Sequence, residues 1–161
     1  RGSRRRSPSR SGAPTPETIM PFVFSFGSNL DEAQMRHRCP SVRRAGRATL
    51  PRHRLVFVGH SPRWGGAVAT VERDPGAVVL GALDLLSHED LAGLDAWEGG
   101  YRRVRREVVL ASGQRMRPYV YLLDGRPGAS PSAAYLEAIA RGYRKLGYSL
   151  EPLRLHMREA S

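Results

Sequence analysis

The chain has 161 residues, of which 40% are hydrophobic, and a formal charge of +11. Such a length and apolar content suit a single folded domain, and no apolar run approaches a membrane span. With Cys39 the only cysteine, an intrachain disulfide and a cysteine-rich metal site are both excluded, which points to a soluble, cytoplasmic protein.

The charge raises nucleic acid as a partner, so its distribution matters more than its size. Arg1, Arg4, Arg5, Arg6 and Arg10 stand against Glu17 near the N-terminus, and Lys145 is the one lysine in the chain. That arginine bias follows as readily from a GC-rich coding sequence as from phosphate contacts, so nucleic acid is disfavoured. Residues 1–19, rich in Arg, Ser, Pro and Gly, read as a disordered leader or an appended tail, with Met20 a candidate natural start. An RNA-binding or addressing arm is the other reading. Residues 20–161 read as one domain.

Phe22, Phe24 and Phe26 alternate, which places three rings on one side of a first strand, and Gly27-Ser28-Asn29 supplies a turn before Leu30. Free backbone amides at a strand-to-helix turn suit a carboxylate or an oxyanion; the plain alternative is a capped turn. Asp31 to Arg38 reads as a short helix with its acidic residues at the N-terminal end, stopped by Cys39-Pro40. Strands are expected over 45–50 and 54–59 around a turn at Pro51, then over 64–71 and 77–86 around a turn at Asp74-Pro75-Gly76.

Ser87 and Asp90 form a capping-box pattern that opens a helix through Glu98, with Leu91, Leu94 and Trp97 on one face and Gly99-Gly100 as the stop. A carboxylate at a helix C-terminus, beside an apolar ring, is pushed toward a raised pKa, which suits proton transfer near neutrality. An exposed glutamate at a frayed end fits the same spacing. Residues 101–110 and 116–123 read as two further strands, the arginines of the first being mostly a solvated edge. Pro131-Ser132 opens a helix with Leu136, Ile139, Ala140 and Tyr143 on one face, Gly147 breaks it, and 150–158 is a final amphipathic segment.

Three of these pieces, in this order, resemble the gamma-glutamylcyclotransferases and their AIG2-like relatives across most of residues 22–155. Phe26-Gly27-Ser28-Asn29-Leu30 is similar to the family's Tyr-Gly-Ser-Asn-Leu loop. Leu94-Asp95-Ala96-Trp97-Glu98-Gly99, followed by Tyr101, is similar to its Leu-Asp-x-x-Glu-Gly segment. Pro131-Ser132 and Tyr135 with Leu136, Ile139 and Gly142 look like its C-terminal helix. Phe26 stands where the family usually has Tyr, so a contact through that hydroxyl is lost and backbone-mediated binding is not.

The resemblance implies an α+β fold, a small mixed β-barrel flanked by helices, and release of 5-oxoproline from a small-molecule γ-glutamyl amide or peptide. It implies Glu98 as general base and acid, the amides of Gly27, Ser28, Asn29 and Leu30 as holders of carboxylate or oxyanion, and Phe26, Tyr101 and Tyr135 as substrate-positioning residues. No cofactor and no metal is implied, and His37, His53, His60, His88 and His156 show no metal-ligand spacing. Cys39 reads as an inert buried thiol. Ser28 reads as a binding residue, since no base is placed to activate it. Monomer and homodimer stay open, as does the leaving amine, which includes a dedicated biosynthetic γ-glutamyl remover. A catalytically silent binding module of the same fold and a basic nucleic-acid binder are the rivals from other classes.

Overall fold

The computed structural model describes residues 20–160, so the expectation for 1–19 lies outside the described residues. Seven strands form one mixed sheet: β1 Phe22–Ser25, β2 Arg43–Ser61, β3 Gly66–Leu85, β4 Arg102–Arg105, β5 Val108–Leu110, β6 Arg115–Met116 and β7 Tyr119–Leu122. Four helices accompany them: α1 Glu32–Arg38, α2 His88–Trp97, α3 Ala133–Leu146 and α4 Glu151–Glu159. The sheet order is β4-β7-β1-β3-β2-β5-β6, with β1 and β7 parallel and the other pairs antiparallel.

That order forces curvature. β4 and β5 lie toward opposite ends of the sheet, yet only Arg106 and Glu107 separate them, and three residue steps span at most about 11 Å. The two ends must therefore approach each other, and the sheet curls into a half-barrel of the α+β type that the sequence implied. The Arg106 amide donates to the Pro118 carbonyl at 3.3 Å, extending the β4–β7 pairing to the start of the crossing.

Period-two alternation on β1 sorts its side chains between two cores. Phe24 and Phe26 enter the barrel, 6.1 Å apart, and meet Leu83, Val120 and the α3 residues Leu136, Ile139 and Tyr143. Val23 faces the other way, into a smaller cluster with Met35 and Cys39 from the α1 end and Leu91 and Leu94 of α2. α1 and α2 thus pack behind the first strand, while α3 closes the barrel. Cys39 is fully buried, as expected, and desolvation pushes its thiol up to about 12.

Several local expectations are corrected. The strands around Pro51, and those around Asp74-Pro75-Gly76, are continuous as β2 and β3. The ladder runs Pro51↔Val78, then resumes at His53↔Arg73, with Arg52 at φ 58 opposite a bulge that takes up residues 74–77. Prolines are tolerated at bulges, so turn chemistry here bends two long strands instead of ending them. Residues 101–110 and 116–123, each read as one strand, are each split where the chain crosses the barrel opening. β4 is an edge strand, as its arginines suggested. Ser87 caps α2 through the Asp90 amide at 3.1 Å, but the carboxylate of Asp90 binds Ser41, and the Ser41 hydroxyl accepts from the Ser87 amide. Trp97 is 41% exposed and does not join Leu91 and Leu94. No helix among the described residues is long and apolar enough to cross a membrane.

Candidate active site

Where β1 ends, Ser28–Leu30 make one turn of 3-10 helix, closed by the Leu30 amide on the Gly27 carbonyl at 3.0 Å. Asp31 then caps α1, its side chain accepting from the Ala33 amide. The back of this turn is clamped. Arg44 donates to the carbonyls of Asn29 and Leu30 at 3.0 and 2.8 Å and forms a two-pronged pair with Asp84 at 2.9 and 3.0 Å, which also accepts from Ser25 Oγ at 2.7 Å. Within the turn the Gly27 and Ser28 carbonyls accept from the Leu30 and Asp31 amides at 3.0 Å, which fixes the peptide planes that carry the Ser28 and Asn29 amides on its other side.

That other side is a cavity of about 560 Å³, lined by Phe26, Gly27, Ser28 and Asn29, by Glu98, Tyr101 and Tyr135, and by Arg38, Arg63, Trp64 and Trp97 among others. The carboxylate after Trp97 and the turn after β1, 69 residues apart in the chain, thus face one space, and Asn29 Nδ2 donates to Glu98 Oε1 at 2.8 Å. Leu30 is the exception among the expected binding residues. It is fully buried, absent from the cavity wall, and its amide is spent inside the turn, because the 3-10 geometry points that donor back at Gly27.

Glu98 is the C-cap of α2, its amide donating to the Leu94 carbonyl at 2.9 Å, and the Tyr101 amide donates to the Glu98 carbonyl at 2.9 Å. Gly100, at φ 90, makes that tight return possible. The short interval between Glu98 and Tyr101 therefore brings both into the cavity. Tyr101 donates its hydroxyl to the Ala69 carbonyl at 3.0 Å, and the Ala69 amide donates to the Tyr135 hydroxyl at 2.8 Å, so one residue of β3 fixes both phenols. Burial raises both phenol pKa values, so they stay protonated.

The Glu98 side chain is 14% exposed, and desolvation raises its pKa above the usual carboxylate range. Arg38, 3.6 Å away, the Asn29 hydrogen bond and Arg63 pull the other way without cancelling the shift. The Asn29 amide has one consistent orientation. Its oxygen accepts from Arg38 at 3.0 Å, a guanidinium that has no acceptor, and from Gln34 at 3.2 Å, and its nitrogen faces a carboxylate. Gln34 also donates to Ser28 Oγ at 2.8 Å, tying α1 to the turn. A buried carboxylate of raised pKa, next to a fixed row of amides, can accept and return a proton while negative charge develops opposite.

A family model described as Gamma-glutamyl cyclotransferase, AIG2-like, matches residues 23–142. The chain belongs to that family. Human gamma-glutamylcyclotransferase is 29% identical over 138 residues, 81% of this chain and 73% of the relative. A solved gamma-glutamyl cyclotransferase superposes with a TM-score of 0.79 at 27% identity, over 86% of each chain. A yeast gamma-glutamyl cyclotransferase specific to glutathione is 13% identical with a TM-score of 0.59, over 88% of this chain and 98% of that one, a likeness of fold alone. Membership makes this protein an enzyme of the gamma-glutamylcyclotransferase kind.

Within this family member, Phe26 gives the cavity an apolar wall, the residue being 5% exposed and its ring stacked on Phe24. The sequence names Asn29 but not the role of its side chain, and it does not single out Gln34, Arg38 or Trp97 as site residues. Asn29 was expected to act through its main chain, whereas its side chain holds Glu98. Gln34 and Arg38 stand four apart on α1, which puts both on the face toward the turn, and that spacing was the available signal. Trp97 was placed in the core, but lies under the guanidinium carbons of Arg38 at 5.1 Å and Arg63 at 4.6 Å. Among the described residues no three His, Cys, Asp or Glu side chains converge as metal ligands do.

Proposed function

We propose that the enzyme releases 5-oxoproline from a small γ-glutamyl amide or peptide, with Glu98 carrying both proton transfers. The substrate's α-amine attacks its own γ-carbonyl, an intramolecular step with an entropic advantage. Glu98 takes a proton from that nitrogen as the new C–N bond closes the five-membered ring. Negative charge on the carbonyl oxygen meets main-chain amides of the Gly27–Asn29 turn. The old C–N bond then breaks, and Glu98 returns the proton to the departing amine. Tyr101 and Tyr135 wall the cavity and position the glutamyl moiety.

The observation that carries this reading is the 2.8 Å contact from Asn29 to a carboxylate of raised pKa across the same cavity as the turn amides. Incubation with a panel of γ-glutamyl amino acids, peptides and amines, with mass detection of 5-oxoproline, tests it. Release from at least one class is expected; release from none overturns the reading.

Asn29→Ala removes a charge-assisted hydrogen bond to the proton-transfer group, so kcat/KM falls by roughly 10- to 100-fold. Its sign on pH is also fixed. The Asn29 bond lowers the Glu98 pKa, so its loss moves the acid limb of the kcat/KM profile to higher pH. A profile with an unmoved limb would show that Asn29 does not act through Glu98.

A further inference from the structure

The leaving group sits beyond the γ-carbonyl, and the charged residues that line the cavity have a definite balance. Glu98 is the one acidic residue in the lining among the described residues, against Arg38 and Arg63. Arg38 is committed: it bonds Asn29 and stands 3.6 Å from Glu98. Arg63 is not. It pairs with no carboxylate among the described residues, and its guanidinium lies 4.6 Å from the centre of the exposed Trp97 ring. The hairpin tip that carries it is itself held in place. The Gly65 amide donates to the Ser61 carbonyl at 2.8 Å, and the adjoining Trp64 ring packs on Tyr135 at 5.1 Å.

From this geometry, and resting on the function proposed above, we infer that Arg63 is a specificity residue that binds a carboxylate on the departing amine. γ-Glutamyl amino acids are then preferred to γ-glutamyl amines of the same size. The electrostatics agree in sign. Two guanidiniums against one carboxylate leave the cavity lining a net positive charge, which a substrate with a second carboxylate complements and a cationic amine opposes. The planar guanidinium, backed by an aromatic face, is oriented for two-pronged contact, which an ammonium would not reproduce.

The test uses the full chain and a pair of substrates that differ by one carboxylate, γ-glutamyl-alanine and γ-glutamyl-ethylamide, with kcat/KM read from 5-oxoproline. The wild type favours γ-glutamyl-alanine about tenfold or more, since Arg63 is partly solvated and its charge-assisted bond is accordingly reduced. In Arg63→Gln that ratio collapses toward one, mainly through KM for γ-glutamyl-alanine. Arg63→Lys recovers only part of it, and added salt lowers the wild-type ratio. Equal kcat/KM for the two substrates in the wild type overturns the inference, as does a ratio that Arg63→Gln leaves unchanged. An equal loss on both substrates also overturns it, because a merely structural role has that outcome. Failure of the wild type to release 5-oxoproline from either substrate or from any of the panel is a different result, and sinks the underlying reaction instead.

Discussion

Glu98→Gln lowers 5-oxoproline release by at least about a thousandfold and leaves the protein folded. A positioned acid–base group contributes about 10²- to 10⁴-fold, and here one side chain serves both the attacking and the departing nitrogen. Glutamine fills the same volume and can still accept from Asn29, so what is lost is the titration. Stability separates this from unfolding. A carboxyl whose pKa is raised in the folded state binds its proton more tightly there than in the unfolded chain, so stability falls as pH rises from the unfolded pKa through the folded one. The ionised form of Glu98 is thus a net cost to the fold, even with Arg38 beside it. The variant's melting temperature is accordingly unchanged or slightly higher, by calorimetry at pH 7. Retained turnover would remove Glu98 from the chemistry, and a large fall in melting temperature would make the kinetic loss structural.

Gly142→Ala is the second large effect, and its sign runs against helix propensity. In an exposed helix interior the change stabilises by about 1 kcal/mol. At Gly142, however, an added Cβ would stand 2.3 Å from Leu30 Cβ and 2.6 Å from the Leu30 carbonyl oxygen. Neither neighbour can yield. Leu30 is fully buried, and Arg44 grips its carbonyl from behind at 2.8 Å. Overpacking of this kind costs about 1–3 kcal/mol or more, which exceeds the helical gain. Urea unfolding should show a lower midpoint, and KM should rise as the Ser28–Leu30 turn is pushed toward the cavity. A stabilised variant with unchanged KM would mean that α3 does not press on the turn as described.

The parts of the site that were legible in the sequence are those encoded by neighbouring residues. Alternating phenylalanines and a Gly-Ser-Asn turn define β1 and its exit, Ser132 and Gly147 bracket α3, and Gly99-Gly100 ends α2 at Glu98. What stayed hidden depends on distant partners. Arg44 and Asp84 are 40 residues apart, and nothing local to either one indicates that together they anchor the turn. Pro51 and Pro75 carry turn chemistry, and only the strand running alongside converts it into a bulge. Leu30 belongs to a motif that reads as binding, yet its amide is consumed by the turn that positions its neighbours. Trp97 follows the apolar spacing of α2, but it is the last residue of the helix, and its exposed ring meets Arg38 and Arg63 instead of the core.

The central claim is that one buried carboxyl governs the reaction. It is tested most directly by titrating Glu98 in wild-type protein carrying carboxyl-labelled glutamate, assigned by comparison with Glu98→Gln, alongside the pH dependence of kcat/KM. Glu98 is expected to titrate above the ordinary glutamate value of about 4.3, with the acid limb of kcat/KM following the same curve. A Glu98 that titrates at or below that value, or an acid limb that ignores it, would contradict the account.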